Sequence, residues 1–207
     1  MCGRFFIPDG EASEELLILM NRAELKQRAR QADFRLKRGE VCPGDAAVVL
    51  APNRSRQPSP FVMRWGFRLD GRLIFNARQE TAAQKPLFRD SMLSRRCAIP
   101  VSSFFEWDHR MKKPLKFRFW PEGRPMMYLA GLYRFEPDSS LPVFTVLTRQ
   151  AQGAIADFHD RMPVILDAGQ LDAWLDQRVD PRTVIDQEPP CLNCQAEETP
   201  LPLLDGL

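Results

Sequence analysis

The sequence has no stretch that looks like an anchor, a leader or a disulfide scaffold. In 207 residues no apolar run approaches the ~18 that a membrane-spanning helix needs, and the best, residues 16–20, follows Glu14 and Glu15. That stretch also lacks the basic start and long apolar middle of a secretion signal, so a cytoplasmic protein is expected. Five cysteines are too few, and odd in number, for a disulfide framework in a chain this long, and in a reducing compartment they are expected as thiols. Histidine is scarce, with two residues in all, and Cys191-Leu192-Asn193-Cys194 is a lone CxxC with no second pair and no histidine nearby. A zinc site needs four ligands, so neither a metal nor an organic cofactor is expected. Repeats, heptads and low-complexity blocks are also missing.

What remains is the balance of a soluble globular protein, 44% apolar and 27% charged. The length suits one domain with a sizeable core or a tight pair of subdomains. Net charge is only +2, but it is unevenly spread. Residues 54–124 hold 16 Lys and Arg against 6 Asp and Glu, whereas residues 154–207 hold 3 against 11. A basic middle and an acidic tail either build one face for a polyanion or neutralise each other in the fold.

The pattern predicts many short strands with a few helices. Residues 3–7 read as a strand closed by the turn Pro8-Asp9-Gly10. Ser13, Leu16, Leu17, Met20, Ala23 and Leu25 give a helical period over about 13–30. Strands are expected at 46–51, 61–67, 72–75, 97–101, 104–107, 115–120, 126–133, 143–148 and 163–166, and helices at 86–93, 151–158 and 171–175. Residues 115–120 alternate as a half-buried strand should. From Gln187 onward the Pro- and Glu-rich chain reads as an irregular acidic tail. The sum is an α+β protein around a mixed or barrel-like sheet.

Four segments carry chemistry. Met1-Cys2 comes first, because trimming of the initiator leaves an α-amine and a thiol on one residue, with ordinary pKa values near ~8 and ~8.5. Such a pair captures an aldehyde as a Schiff base and then closes a thiazolidine ring. Phe75-Asn76-Ala77-Arg78-Gln79-Glu80-Thr81 offers an amide for a sugar or amine and a guanidinium for phosphate, or else a strand-ending turn. In Phe104-Phe105-Glu106-Trp107 a carboxylate stands among aromatics, with a raised pKa if it faces inward and a wet position if it does not. Phe158-His159-Asp160-Arg161-Met162-Pro163 sets an imidazole beside Asp and Arg as a proton shuttle, while His109 reads as a hairpin cap. Cys97 reads as core.

Together MCGRF, RWGF, FNARQETA, RRCAIP, FFEW, AGLY, VLTR and HDRMPVIL resemble the SOS-response-associated peptidase (SRAP) family, from Met1 to about residue 175. The resemblance implies a single α+β domain over residues 1–207, a distorted β-barrel with peripheral helices and a basic groove for single-stranded DNA. It implies a monomer, without membrane contact, that cross-links abasic sites through the mature Cys2 as a thiazolidine, with lyase character through the same imine. By resemblance Cys2 is the nucleophile, Asn76 orients the amine or opened sugar, Glu106 passes protons and His159 promotes ring opening. Arg4, Arg64, Arg78 and Arg161 would hold phosphates, and Trp65 would stack a base or wall the site. Arg95 and Arg96, interleaved with Phe67 and Trp107, extend the basic, aromatic character expected of a single-strand groove.

Two departures stand out. Where many relatives carry Asn-x-Ala-Pro, this chain has Glu40-Val41-Cys42-Pro43, so a carboxylate replaces an amide and Cys42 is either a second thiol near the groove or a small core residue. The segment between Gly66 and Asn76 is short and lacks a tryptophan-bearing loop. Two other functions stay open: a thiol peptidase using Cys2, His159 and Glu106, acting on peptides or only on its own Met1-Cys2 bond, and a non-catalytic single-strand binder.

Overall fold

The amino-terminal strand is the hinge of the architecture, because it lies inside one sheet and packs its apolar side against the other. The computed structural model describes residues 2–8, 13–108, 110 and 113–197. The turn expected at Pro8-Asp9-Gly10, His109, Met1 and everything after residue 197 lie wholly or partly outside them. In chain order the elements begin with β1 (Arg4–Ile7) and α1 (Glu14–Arg28). Then come β2 (Gly39–Val41), β3 (Ala46–Pro52), β4 (Pro58–Trp65), β5 (Phe67–Leu69), β6 (Arg72–Ile74) and β7 (Asn76–Arg78). Helices α2 (Gln79–Ala82) and α3 (Pro86–Ser94) precede β8 (Arg96–Val101), β9 (Ser103–Asp108), β10 (Leu115–Pro121), β11 (Met127–Arg134) and β12 (Val143–Gln150). The chain ends with β13 (Arg161–Pro163), β14 (Ile165–Leu166), α4 (Leu171–Leu175), α5 (Arg182–Ile185) and β15 (Leu192–Ala196).

One sheet runs β15-β10-β9-β1-β2 and is antiparallel throughout. The other follows β12-β4-β3-β8-β11, and β11 pairs back onto β12, so the strands close into a ring. Its strands are almost wholly buried and rich in Val, Leu, Ile and Ala, as strands covered on both sides must be. β7 and β13 extend it along β12. This is the expected α+β class, with a ring-like sheet in place of the expected distorted barrel.

Local chemistry sets the boundaries. Ser13 caps α1 by accepting a hydrogen bond from the Leu16 amide at 3.2 Å. The buried face of α1 is Leu16, Met20, Ala23 and Glu24, so Leu25, expected on the apolar stripe, points to solvent instead. Glu24 takes its place because Arg28, one turn on, neutralises it. The short segment after Gly66 is a two-residue hairpin, β5 to β6, turned by Asp70 and Gly71 at φ +48° and +73°. Positive φ at both positions matches the strand twist, and Asp-Gly supplies it cheaply.

Three sequence expectations fail here. The 151–158 helix is a short 3-10 turn over Gly153–Asp157, and residues 76–78 form a strand parallel to β12. The tail is not irregular throughout, since residues 192–196 become β15 and pair with β10. Neither signal was visible locally, because both strands are short and gain their hydrogen bonds from distant partners.

Candidate active site at the amino-terminal strand

Register brings the candidate groups to the inner side of the five-stranded sheet. Phe5 lies opposite Phe104 on β9, and Glu106 lies opposite Phe117 on β10. Alternation then turns Phe5, Phe104, Glu106, Phe117 and Phe119 toward the ring. Phe5 packs on Trp65 at 4.8 Å between ring centroids, and Phe104 stacks on Phe119 at 5.4 Å. Glu106 is therefore buried, 3% exposed, and the alternative of a wet position is excluded. Desolvation pushes its carboxyl up to about 7, and the nearby Asp160 charge adds to the rise.

Cys2 sits just before β1 and is wholly buried, not exposed as an N-terminal residue would ordinarily be. Burial, reinforced by the Glu106 charge, pushes its thiol well above the ordinary range, so the sulfur is protonated at neutral pH. The Asn76 side-chain amide donates to the Cys2 carbonyl at 2.9 Å. Asn76 Oδ1 is buried and has no partner among the described residues, an acceptor aimed into the same space. Asn76 is held from behind by β12, its register partner being Val146.

Phe158 fixes the loop that carries His159. The Phe158 ring packs on Phe117 at 4.3 Å and Phe119 at 5.7 Å, and the Arg110 guanidinium lies over it at 5.5 Å. The loop is thus anchored beside the strand pair that carries Glu106. His159 Nδ1 accepts from the Arg161 backbone amide at 2.9 Å and lies 2.6 Å from Asp160 Oδ1. One nitrogen cannot accept and donate at once. The amide is a permanent donor, so the neutral ring carries its proton on Nε2, and the carboxylate becomes the partner only when the ring is protonated. Cys2, Asn76 and Glu106 therefore meet at one place, and His159 lies in the loop whose Phe158 packs beside it.

The expected phosphate contacts fare unevenly. Arg4 is exposed, bonded to Glu40 at 2.9 Å, and lies over the Trp107 ring at 5.3 Å. Arg78 is exposed at the end of β7 and forms no ion pair among the described residues. Arg64 is half-buried and donates to the Gly44 carbonyl at 2.8 Å, and Arg161 is clamped by both Glu80 oxygens. Trp65 contradicts a base-stacking role. It is 0% exposed, packed between Phe5, Phe75 and Phe144, and its indole N–H donates to the Phe75 carbonyl at 2.9 Å. It props up the residue before Asn76. Phe67 is equally buried, and so is Arg96, which donates to the Asp176 and Val179 carbonyls. Cys42 is half-buried in a tight turn where its amide donates to Asp45 at 2.8 Å. Of the CxxC pair, Cys194 packs against the core while Cys191 is exposed. Glu80 and Arg110 were missed by sequence reasoning; for Glu80 the only signal was its position inside the FNARQETA motif.

The fold is a ring of strands backed by a second sheet, with the reactive candidates lying near its opening strand. The chain belongs to the SOS response associated peptidase (SRAP) family, whose sequence model matches residues 1–198. It is 33% identical over 129 residues to the abasic site processing protein YoaM of Bacillus subtilis, covering 56% of this chain and 56% of that protein. To the abasic site processing protein YedK of Escherichia coli it is 29% identical over 185 residues, covering 86% and 81%. The match spans about half the length of YoaM and of YoqW, another Bacillus subtilis relative. An X-ray structure of a Bordetella bronchiseptica protein superposes with a TM-score of 0.72 at 21% identity, covering 96% of this chain and all of that one, a likeness of fold. No helix among the described residues is long and apolar enough to cross a membrane.

Proposed function

We propose that this protein processes abasic sites in single-stranded DNA by bonding covalently to them through Cys2 once Met1 is removed. The observation that carries the reading is the Asn76–Cys2 hydrogen bond at 2.9 Å, made beside the buried Glu106 carboxyl, whose charge acts on the Cys2 thiol. The relatives named as abasic site processing proteins support it.

The chemistry follows from the proton states. The buried thiol holds its proton, so nitrogen attacks first. The α-amine adds to the aldehyde carbon of the ring-opened sugar, and the carbinolamine loses water to give an iminium. Sulfur then attacks the same carbon, closing the thiazolidine, and the thiol proton leaves to a base. The net change is aldehyde plus aminothiol to thiazolidine plus water. Glu106, with a carboxyl near 7, can give a proton to the departing water and take one from sulfur. Asn76 Oδ1 offers an acceptor for the amine, and His159 can move a proton during sugar opening. Of the four arginines expected on phosphate, Arg78 is exposed and Arg4 is exposed but paired with Glu40, whereas Arg161 and Arg64 are held by Glu80 and the Gly44 carbonyl. Elimination of the 3′ phosphate from the iminium, with loss of the neighbouring C2 proton, would give lyase character by the same route, whereas hydrolysis of the iminium returns the free amine and the aldehyde.

The test is intact and peptide mass spectrometry of protein incubated with single-stranded DNA bearing one abasic site. A heat-stable adduct mapped to Cys2 is expected, and Cys2→Ala should abolish it. An unchanged yield in that variant sinks the mechanism.

The family's peptidase name keeps a second reading, in which Cys2, His159 and Glu106 cleave the Met1-Cys2 bond. A thiol whose burial disfavours the thiolate argues against it. Met1 loss that depends on Glu106 would favour it, and loss indifferent to Glu106 points to a separate aminopeptidase. Plain single-strand binding, the third reading, predicts equal affinity for intact and abasic DNA and no adduct.

A further inference from the structure

His159 has two partners on one ring nitrogen, and they suit opposite protonation states. The Arg161 backbone amide reaches Nδ1 at 2.9 Å and can only donate, so it holds the neutral ring. Asp160 Oδ1 stands 2.6 Å from the same Nδ1 and, as a carboxylate, can only accept, so it holds the imidazolium. The ring can therefore gain or lose a proton without turning, because the partner for each state is already in place.

The backbone fixes Asp160 there. The Phe158 and His159 amides both donate to the Ile155 carbonyl, at 2.9 and 3.0 Å, where the 3-10 turn ends. One residue on, the Asp160 carbonyl accepts from the Ala151 amide at 2.9 Å, and Arg161 enters β13 opposite Gln150. The main chain is pinned on both sides, yet the Asp160 side chain is 81% exposed. A carboxylate this exposed is well hydrated with or without the ring, so stability does not require the contact.

The same carboxylate acts on Glu106. Burial raises the Glu106 carboxyl, the α-amino group of the chain draws it down, and the Asp160 charge raises it again. Phe158, two residues before Asp160, packs on Phe117, which lies opposite Glu106. Other charged and titratable groups nearby have partners of their own. The Cys2 thiol keeps its proton, and the Arg161 guanidinium is turned onto Glu80 and the Thr148 carbonyl. Arg110 lies over Phe158, forked by Asp108, with Asp157 adding to the charge around it. Asp160 is thus the negative charge that acts on both candidate proton carriers.

We propose that Asp160 is a positioning residue for the cross-linking reaction, a fixed charge that keeps His159 and Glu106 supplied with protons. The inference rests on the Cys2 reading above and adds a residue to it. Two steps of that reaction draw on an acid. Sugar opening delivers a proton to the ring oxygen as the anomeric hydroxyl loses one, and the carbinolamine loses its hydroxyl as water. A negative charge beside each carrier favours the protonated form that these steps need.

The experiment follows the rate of adduct formation by the full chain with single-stranded DNA bearing one abasic site, from about pH 5 to about pH 9. Asp160→Asn should match wild type at the acid end, where both carriers are protonated in either protein. At neutral and alkaline pH it should be about two- to fivefold slower. Asp160→Glu should restore most of that loss, and the deficit should shrink as salt rises, because an exposed charge is screened. A deficit of equal size at every pH marks a merely structural role and overturns the proposal, as does a profile superimposable on wild type. An NMR titration of the His159 ring, assigned with His159→Gln, needs no DNA. Its midpoint should lie at lower pH in Asp160→Asn than in wild type or Asp160→Glu, and coincident midpoints overturn the proposal. No adduct with wild type at any pH, beside a midpoint shifted as expected, sinks the Cys2 reading and leaves the hold of Asp160 on His159 in place.

Discussion

Both carboxylate oxygens of Glu80 hold the Arg161 guanidinium, at 2.7 and 2.8 Å, across 81 residues of chain. Arg161 also donates to the Thr148 carbonyl at 2.6 Å. The contact ties the segment that follows Asn76 to the loop that carries His159, with β12 between them. The hydrogen bond from Arg161 holds the Glu80 carboxyl below its usual range.

Glu80→Gln should loosen that brace. Glu80 is about half exposed, so the stability loss should be near 1 kcal/mol or less, read from urea unfolding. The adduct with abasic DNA should form more slowly, because two of its groups lose their relative position. An adduct rate equal to wild type would remove the brace from the mechanism.

Glu106 should make stability fall as pH rises. Its folded value is near 7 and its reference value 4.5, so below 4.5 both states are protonated and it contributes nothing. Between 4.5 and 7 the unfolded chain ionises while the folded one keeps the proton, and the cost then persists above 7. Glu106→Gln should therefore gain stability relative to wild type across that window, reaching about 3 kcal/mol above it. Urea midpoints at several pH values check the sign. A difference that shrinks with rising pH would show the carboxyl is not desolvated.

Trp65→Phe should act on the core and not on DNA affinity. The change keeps an aromatic ring but removes the indole donor from a Phe75 carbonyl that still accepts from the Val146 amide, and it leaves space where the larger ring packed, at a cost of about 1–3 kcal/mol in all. Thermal unfolding measures the loss, and anisotropy with intact strands should show unchanged binding. Weakened binding with unchanged stability would restore the stacking role.

Arg96→Met should likewise separate structure from charge. Arg96 is 1% exposed, and donates to Asp176 and Val179 carbonyls while lying over Trp174 at 5.3 Å. Its loss should cost about 1–3 kcal/mol, since two half-buried carbonyls lose their guanidinium donor, although that of Asp176 keeps the Val179 amide. The slope of DNA affinity with salt should not move, because Arg96 does not reach solvent.

Much of this molecule was legible from the chain itself, for reasons of periodicity. Ser13 with an apolar stripe gave α1, and the alternation in residues 115–120 gave β10 with Phe117 and Phe119 inward. The four reactive candidates were visible as residue types beside aromatics and turns. Less visible was which of two plausible faces each would take. Glu106 differs from a solvated strand carboxylate only through Phe117 opposite it and the Phe158 loop above.

Sequence alone settled the α+β class, the membership signalled by combined motifs, and the possibility of amine and thiol on one residue. Tertiary structure decided that Trp65 is a prop, that Arg161 and Arg96 are already occupied, and that residues 192–196 complete a sheet. The physical reason is that hydrophobic pattern and turn chemistry act within a few residues of chain. Charge neutralisation, desolvation and hydrogen-bond partnership depend on neighbours far along the chain, such as Asn76 to Cys2 at a separation of 74 and Tyr128 to Glu15 at 113.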